Sequence, residues 1–218
     1  MIRDRSKGRN VNSTPDHAKP SSKQTNMTTT YTPYQRHLLH FAQSPNSPSP
    51  KLTIISAVRG SLELGLNLPI AVSLALALPL IHSPFPYYLR PLPIKSISEK
   101  EGRTQLSSAR LIQSSYSMTD IFSLYQSEVP RGWFDWAVDQ GHILSFWAMA
   151  ADVKTGRVDV DDVKRFQNGN WTDSIVKRRQ SRMPGKGDVL PFYRGGPIIV
   201  GLHSWFVGRL FGVRVYEP

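Results

Sequence analysis

The longest apolar run of the chain extends from Leu64 to Leu89 and contains no Asp, Glu, Lys or Arg. Its first part, up to Ile81, is apolar except for Asn67 and Ser73. A helix of roughly 20 such residues can cross the hydrocarbon core of a bilayer. Prolines interrupt the run, however, and each one removes a backbone donor and clashes with the preceding helical turn. They are Pro69, Pro79, Pro84 and Pro86. The pattern therefore predicts a broken or hairpin-like apolar insertion rather than one straight helix.

Basic residues flank this run on both sides. They are Lys51 and Arg59 before it, and Arg90, Lys95, Lys100 and Arg103 after it. A helix that crosses a membrane usually has more Lys and Arg on one side than on the other. Similar charge on both sides favours a segment that enters one face of a membrane or lipid droplet and returns. A buried core helix of a soluble domain is the alternative, because the run is short for a membrane span.

The polar pattern before the run predicts a disordered basic tail over residues 1–33 and a helix–loop–helix region over residues 34–62. The tail is rich in Ser, Thr, Asn, Pro and charge, and it cannot bury enough apolar surface to offset the entropy lost on ordering. Pro33 suits the start of a short helix from Tyr34 to Phe41. Pro45, Pro48 and Pro50 then indicate an irregular loop, and Lys51 begins a strand or a second helix.

The C-terminal part, residues 91–218, is predicted to be mostly helical. In the segment over residues 110–125, the apolar residues of the second half have helical spacing, and Ser117 or Thr119 is the candidate N-cap. The strongest helix extends from Trp133 to Ala151, and a shorter one over residues 160–166 ends at Gly169. Aromatic residues on the strong helix are candidate apolar walls for haem or an acyl chain, although aromatic stripes at helical spacing are more often part of the core. They are Trp133, Trp136 and Phe146. Residues 191–216 are rich in glycine, aromatic residues and valine, and this composition predicts irregular structure with short strands or helices.

Composition narrows the choice of partners. The chain of 218 residues has a net charge of +11 and no cysteine. The charge favours anionic partners, and beside an apolar insertion it indicates phospholipid head groups rather than nucleic acid. The lack of cysteine excludes disulfides, haem–thiolate ligation and thiolate zinc sites.

Four stretches, in order, resemble caleosins, the lipid-droplet proteins also called seed peroxygenases. The first, residues 37–42, resembles a family helix that enters an EF-hand loop, and the second, residues 64–72, resembles the family's proline knot. The third comprises residues 94–97, 101–103 and 120–125, and resembles the motifs I-K-x-I, E-G-R and E-D-I-F-S-K-Y. The fourth comprises residues 132–134 and 156–162, and resembles F-G-W-F and D-G-R-V-x-K-E-D. The resemblance covers about residues 34–171.

This resemblance implies a mainly α protein at the cytosolic face of a lipid droplet or the endoplasmic reticulum. It assigns residues 34–62 to a degenerate EF-hand-like region, residues 63–90 to a proline-knot membrane segment, and residues 91–218 to a helical caleosin-like domain. It also implies calcium binding and a haem b peroxygenase, which uses a fatty-acid hydroperoxide to oxygenate an unsaturated lipid. Histidines are the implied haem ligands.

The calcium ligands of the implied EF-hand are mostly missing. Such a loop needs several carboxylates, because ligand charge sets the affinity for Ca²⁺. Ser44 and Asn46 are the only vestigial oxygen donors, so we expect strong calcium binding to be lost. The one acidic cluster predicts a solvated helix face rather than a calcium loop. It comprises Asp159, Asp161 and Asp162.

For haem, the resemblance makes His37 the first candidate axial ligand. The family's second histidine is absent, and His142 on the aromatic helix could replace it or be a core residue. The alternative hypothesis is a non-enzymatic lipid-droplet surface or anchoring protein that has lost both sites. In that case the basic stretch over residues 177–182 would contact anionic head groups. No nucleic-acid motif is present, and the sequence leaves the oligomeric state open.

Overall fold

The protein is described by a computed structural model that covers residues 31–83, 87–98, 106, 109–125, 132–180 and 188–216. Almost all of the predicted tail, residues 1–33, lies outside these residues. Residues from Tyr31 onward belong to one compact unit. The described residues are mainly helical, which confirms the predicted fold class at that level.

Eight α-helices and five two-residue strands are formed by the described residues. The helices are α1 Pro33–Leu39, α2 Ile54–Glu63, α3 Leu68–His82, α4 Met118–Leu124, α5 Trp133–Ala150, α6 Val160–Asn168, α7 Thr172–Arg179 and α8 Val200–Phe211. The strands are β1 Ala42–Gln43, β2 Lys51–Leu52, β3 Leu92–Pro93, β4 Ser115–Tyr116 and β5 Val158–Asp159. Strands β1, β2 and β3 form one antiparallel sheet, in which Ala42 pairs with Leu52 and Lys51 with Pro93. Strands β4 and β5 form a second antiparallel pair.

Side-chain caps explain where several helices begin. The Thr32 hydroxyl accepts from the Gln35 backbone N–H, and the Gln35 side chain accepts from the Thr32 backbone N–H, which forms a capping box for α1. Ser117 and Asp120 form the same motif at α4, so Ser117 is the cap and Thr119 is not. Gly169 ends α6 with φ +79°, as the sequence predicted.

The apolar run differs from its prediction, because α3 continues unbroken through Pro79. Pro69 lies in the first turn of α3, where its missing N–H would have no helical partner. Pro79 lies in the last turn, so it removes only one backbone hydrogen bond near the end of the helix. The chain instead turns between α2 and α3, where Asn67 caps α3 by accepting from the Ile70 N–H at 3.0 Å. None of the described helices is both long and apolar enough to cross a membrane.

The C-terminal segment packs back on this turn between α2 and α3. The Tyr216 hydroxyl donates to the Gly65 carbonyl at 2.9 Å, and the Asn67 backbone N–H donates to the Gly195 carbonyl at 2.7 Å. Its last long element is α8, a regular helix of 12 residues, in a region where the sequence predicted irregular structure with short strands or helices. Residues beyond the resembling region therefore complete the same core as the helices before them.

The centre of the core lies where α1, α5 and α6 meet. Phe146 and Phe166 are fully buried there, with ring centroids 4.1 Å apart. Trp171 packs edge-on against Phe146 at 5.3 Å. Phe166 and Trp171 of this aromatic cluster also contact the ring of His37, the first candidate haem ligand.

Candidate functional site

His37 occupies the interior of the fold, on α1, and is only 1% exposed. Its Nε2 atom lies 2.8 Å from the Phe166 carbonyl oxygen. Because a carbonyl can only accept, Nε2 carries the proton and Nδ1 of the neutral ring is an acceptor. Burial is the main reason that the pKa of His37 falls from its ordinary value of 6.5 to about 4, and the nearby Arg36 charge lowers it further. His37 is therefore a neutral imidazole at neutral pH.

His142 is the partner of His37, although 105 positions separate them in the chain. Its Nε2 atom lies 2.9 Å from the His37 Nδ1 atom, and the two rings are 5.1 Å apart. Since His37 Nδ1 is an acceptor, His142 donates the proton of this hydrogen bond. The structure thus brings both sequence candidates together, as one hydrogen-bonded pair.

Two further polar side chains, Tyr34 and His82, adjoin the pair and were not singled out from the sequence. The Tyr34 hydroxyl lies 2.8 Å from Nε2 of His82, and the Tyr34 ring contacts His142 edge-on at 5.7 Å. Tyr34 lies one turn before His37 on α1, which was a usable signal, whereas His82 ends the apolar run on α3. The site therefore joins α1, α3, α5 and α6.

Of the three aromatic residues proposed as walls for haem or an acyl chain, one is buried and two are exposed. Phe146 is buried beside Phe166, as that hypothesis requires. Trp133 and Trp136 are instead exposed in the first turn of α5, at 79% and 58%. Their sequence spacing placed them on the apolar face, but the described core covers α5 only from Asp139 onward.

Haem does not fit His37 in this arrangement. An axial ligand needs an unprotonated nitrogen directed at the iron. His37 Nε2 donates to the Phe166 carbonyl, and His37 Nδ1 is engaged by His142. The Phe166 ring also packs 4.5 Å from the His37 ring. An iron bond would have to replace one of these two hydrogen bonds and displace an aromatic ring.

Ser44 and Asn46, the vestigial calcium donors, lie in an exposed turn between β1 and β2. Ser44 has φ +52°, and its carbonyl accepts from the Ser47 N–H at 2.8 Å. No group of three or more His, Cys, Asp or Glu side chains within the described ranges is arranged to hold a metal ion. Two neutral side chains offer Ca²⁺ too little charge.

The acidic cluster contains one buried member, which corrects the prediction of a solvated helix face. Asp159 caps α6, and Asp161 is an exposed partner of Lys164 at 3.0 Å. Asp162 is buried, and its carboxylate lies 2.9 Å from Arg165 and 2.8 Å from Arg178. Asp162 therefore links α6 to α7 inside the fold.

The described part of the predicted basic face, residues 177–180, exposes Lys177 but not the two arginines that follow it, and residues 181 and 182 lie outside the described residues. Arg179 is fully buried and donates to the Met149 carbonyl at 2.5 Å, while Arg178 donates to the Ala150 carbonyl at 3.2 Å. Arg194 donates to the carbonyls of Ala148 at 2.7 Å and of Ala151. These three arginines satisfy the C-terminal carbonyls of α5 and oppose its negative dipole end.

The clearest feature of the surface is an outward apolar face on α3. It comprises Ile70, Val72, Leu76 and Leu80, each between 38% and 56% exposed. The opposite side of α3 carries the small residues Ala71 and Ala75, which are completely buried toward the core. Large apolar side chains thus line the outward side of α3 as well as the inward side, where Leu74 and Leu78 pack partly against the core, whereas an ordinary surface helix is polar on its outward side.

The chain matches no protein-family model, no curated protein and no solved structure.

Proposed function

We propose that this protein binds the phospholipid surface of a lipid droplet or an endoplasmic reticulum membrane, at its cytosolic face, in a surface or anchoring role. The observation that carries the proposal is the outward face of α3, where four large apolar side chains are exposed. Contiguous exposed apolar surface on a protein usually marks a binding site for a partner or a membrane. The net charge of +11 favours a surface with anionic head groups.

The size of the α3 face supports reversible binding. Burying the exposed parts of its four large side chains contributes about 1 kcal/mol each, or about 4 kcal/mol together. That free energy alone corresponds to a dissociation constant of about 1 mM. Peripheral proteins commonly combine one weak apolar element with a second element or with basic charge. The α3 helix therefore supplies part of the affinity and needs additional contacts.

The interior supports a structural role rather than an enzymatic one. His37 and His142 are hydrogen-bonded to each other, and His37 also holds the Phe166 carbonyl. These contacts tie α1 to α5 and α6 across the core. The resemblance to caleosins supplies the lipid-droplet part of the proposal through its sequence motifs.

A haem peroxygenase that consumes fatty-acid hydroperoxides is the second candidate. The observation in its favour is that two candidate histidines meet in an aromatic interior. Because haem does not fit His37 as it is held, this activity requires a different arrangement of α1 and α6. We therefore place it after the anchoring role.

Flotation of the full chain with lipid particles tests the anchoring role. The particles are phosphatidylcholine vesicles, with and without phosphatidylserine, and triacylglycerol droplets coated with the same lipids. The test variant replaces Val72, Leu76 and Leu80 by Asn, and the control is Ile112→Asn, which changes an exposed side chain in another segment. We expect the triple variant to bind at least about tenfold more weakly and the control to bind normally. Wild-type protein that stays with the soluble fraction in every case would contradict the proposal.

A further inference from the structure

The C-terminal helix α8 presents a second outward apolar stripe, in a part of the chain to which no role has been given. The stripe follows helical spacing at positions i, i+3, i+4 and i+8. It comprises Leu202, Trp205, Phe206 and Leu210, between 41% and 66% exposed. Trp205 is the most exposed of these, although tryptophan usually buries most of its large apolar surface in a folded protein.

The inner side of α8 contacts the rest of the protein, and the stripe lies on the opposite side of the helix. Val207 is the one residue of α8 that is completely buried. Ser204 donates from its hydroxyl to the Val215 carbonyl at 2.6 Å, which attaches α8 to the segment that follows it. Val200 and Phe211, at the two ends of α8, are partly buried against the core, while the four large apolar residues of the stripe remain exposed.

The segment that leads into α8 is bonded to the start of α3. The Asn67 side-chain amide, at the start of α3, donates to the Gly196 carbonyl at 3.0 Å. Ile198 and Ile199 follow within three residues of this contact, at 78% and 60% exposure, and lead directly into α8. Three residues span at most about 11 Å, so Ile199 lies within that distance of the Gly196 contact at the start of α3.

Basic side chains accompany this apolar surface. Arg209 is exposed and lies within the α8 stripe, between Phe206 and Leu210. Arg214 is exposed shortly after the helix, and the Arg59 guanidinium reaches to about 4.0 Å from where a Cβ on Gly212 would be. An apolar stripe that contains tryptophan and is bordered by arginines is typical of helices that lie in the interface of an anionic membrane.

The position of Arg209 also favours lipid over a second copy of the chain. A symmetric dimer through α8 would place the Arg209 side chains of both copies in one apolar interface, where like charges repel. At a lipid surface the long stem of Arg209 can lie along the apolar region while its guanidinium reaches a phosphate. We therefore infer that α8 is a second lipid-docking element, which acts with α3 and selects surfaces that carry anionic phospholipid. This inference rests on the proposed anchoring function.

Vesicle flotation of the full chain separates the two elements. The α8 variant is Trp205→Ser combined with Phe206→Ser, the charge variant is Arg209→Gln, and the control is Ile112→Ser. We expect the α8 variant to bind phosphatidylserine-containing vesicles at least about tenfold more weakly than wild type. Arg209→Gln should lose about fivefold on those vesicles and nothing on pure phosphatidylcholine. Circular dichroism verifies that each variant keeps its helices.

The outcomes distinguish this inference from the function on which it rests. If the α8 variant binds like wild type while the α3 triple variant does not, anchoring stands and a docking role for α8 is wrong. If the wild-type protein binds no vesicle, both the anchoring function and the docking role of α8 are wrong. If the α8 variant binds normally but turns a sedimenting dimer into a monomer, the stripe joins two copies of the chain instead. Equal loss with Arg209→Gln on both lipid compositions would overturn the selection of anionic lipid.

Discussion

The Nδ1 atom of His37 lies 2.9 Å from the Nε2 atom of His142, and the opposite nitrogen of His37 donates to the Phe166 carbonyl at 2.8 Å. One imidazole therefore connects three helices, α1, α5 and α6, through both of its nitrogens. The Phe166 contact needs a proton on Nε2, and the His142 contact needs an unprotonated Nδ1, so the two together fit a neutral His37. The pair is consequently a fixed structural element whose strength depends on pH.

We expect the protein to lose stability in mild acid because of His37. Its pKa is about 4 in the folded state and 6.5 in the unfolded chain, so the unfolded state binds the proton more readily. The stabilisation is complete above pH 6.5, decreases as the pH falls below 6.5, and has been lost below pH 4. The difference amounts to about 3 kcal/mol. Urea unfolding across this range measures it, and His37→Asn should flatten the profile. An unchanged profile in His37→Asn would assign the effect to other groups.

We expect haem to produce no His37-dependent spectrum. Both nitrogens of His37 are engaged inside the core, and an iron bond to either one would cost the hydrogen bond that this nitrogen makes. The measurement is an absorption titration of detergent-purified protein with haem b, alongside His37→Ala. Identical spectra for the two proteins agree with a structural role for His37. A Soret band that disappears in His37→Ala, while the variant stays folded, would restore the peroxygenase as the leading function.

Arg194→Met should destabilise the protein by about 3 kcal/mol. The guanidinium donates to three carbonyls at and beyond the end of α5 and stacks on Trp147, with Cζ 5.3 Å from the ring centroid. Methionine fills the space but leaves those carbonyls without these donors. Lys177→Ala is the control, because Lys177 is exposed and its loss should change the unfolding free energy by less than about 0.5 kcal/mol. Similar stability for both variants would contradict the capping role.

Two glycine replacements should have opposite effects. Gly65 has φ +89°, and a Cβ there would overlap the Tyr216 hydroxyl, so Gly65→Ala should cost at least about 2 kcal/mol. Gly141 lies in the middle of α5 with open space around its Cα, so Gly141→Ala should stabilise by about 0.5–1 kcal/mol. Thermal melting compares them directly. A neutral Gly65→Ala would show that the C-terminal segment is not packed on the α2–α3 turn as described.

Local signals predicted several elements correctly because their causes lie within a few residues. Pro33 marked α1, Ser117 capped α4, and Gly169 ended α6. The unbroken α3 was missed because the cost of a proline depends on its place in the helix, and Pro79 lies in the last turn. The sequence allowed short strands or helices over residues 191–216 but did not predict the 12-residue α8, because its aromatic and glycine-rich composition has weak helical propensity.

The sequence named both histidines of the candidate site but not their contact. The family resemblance selected His37 and the aromatic helix offered His142, but a one-dimensional pattern could not show that the two would be hydrogen-bonded to each other. The same limit applies to charge. Arg179 belongs to a basic stretch that reads as an exposed face, yet it is buried because the carbonyls at the end of α5 and Asp188 supply its partners. Contacts between residues far apart in the chain determine both the histidine pair and the burial of Arg179.

The acidic cluster provides a last test with its own internal control. Asp162 is buried between Arg165 and Arg178 and also accepts from the Ser174 hydroxyl at 3.1 Å, so Asp162→Asn should cost about 3 kcal/mol. Asp161 belongs to the same sequence cluster but forms only an exposed pair with Lys164, so Asp161→Asn should cost less than about 0.5 kcal/mol. Urea unfolding at neutral pH gives both values. Equal, small losses would support the original expectation of a solvated face, whereas the predicted difference requires Asp162 to connect α6 and α7 in solution.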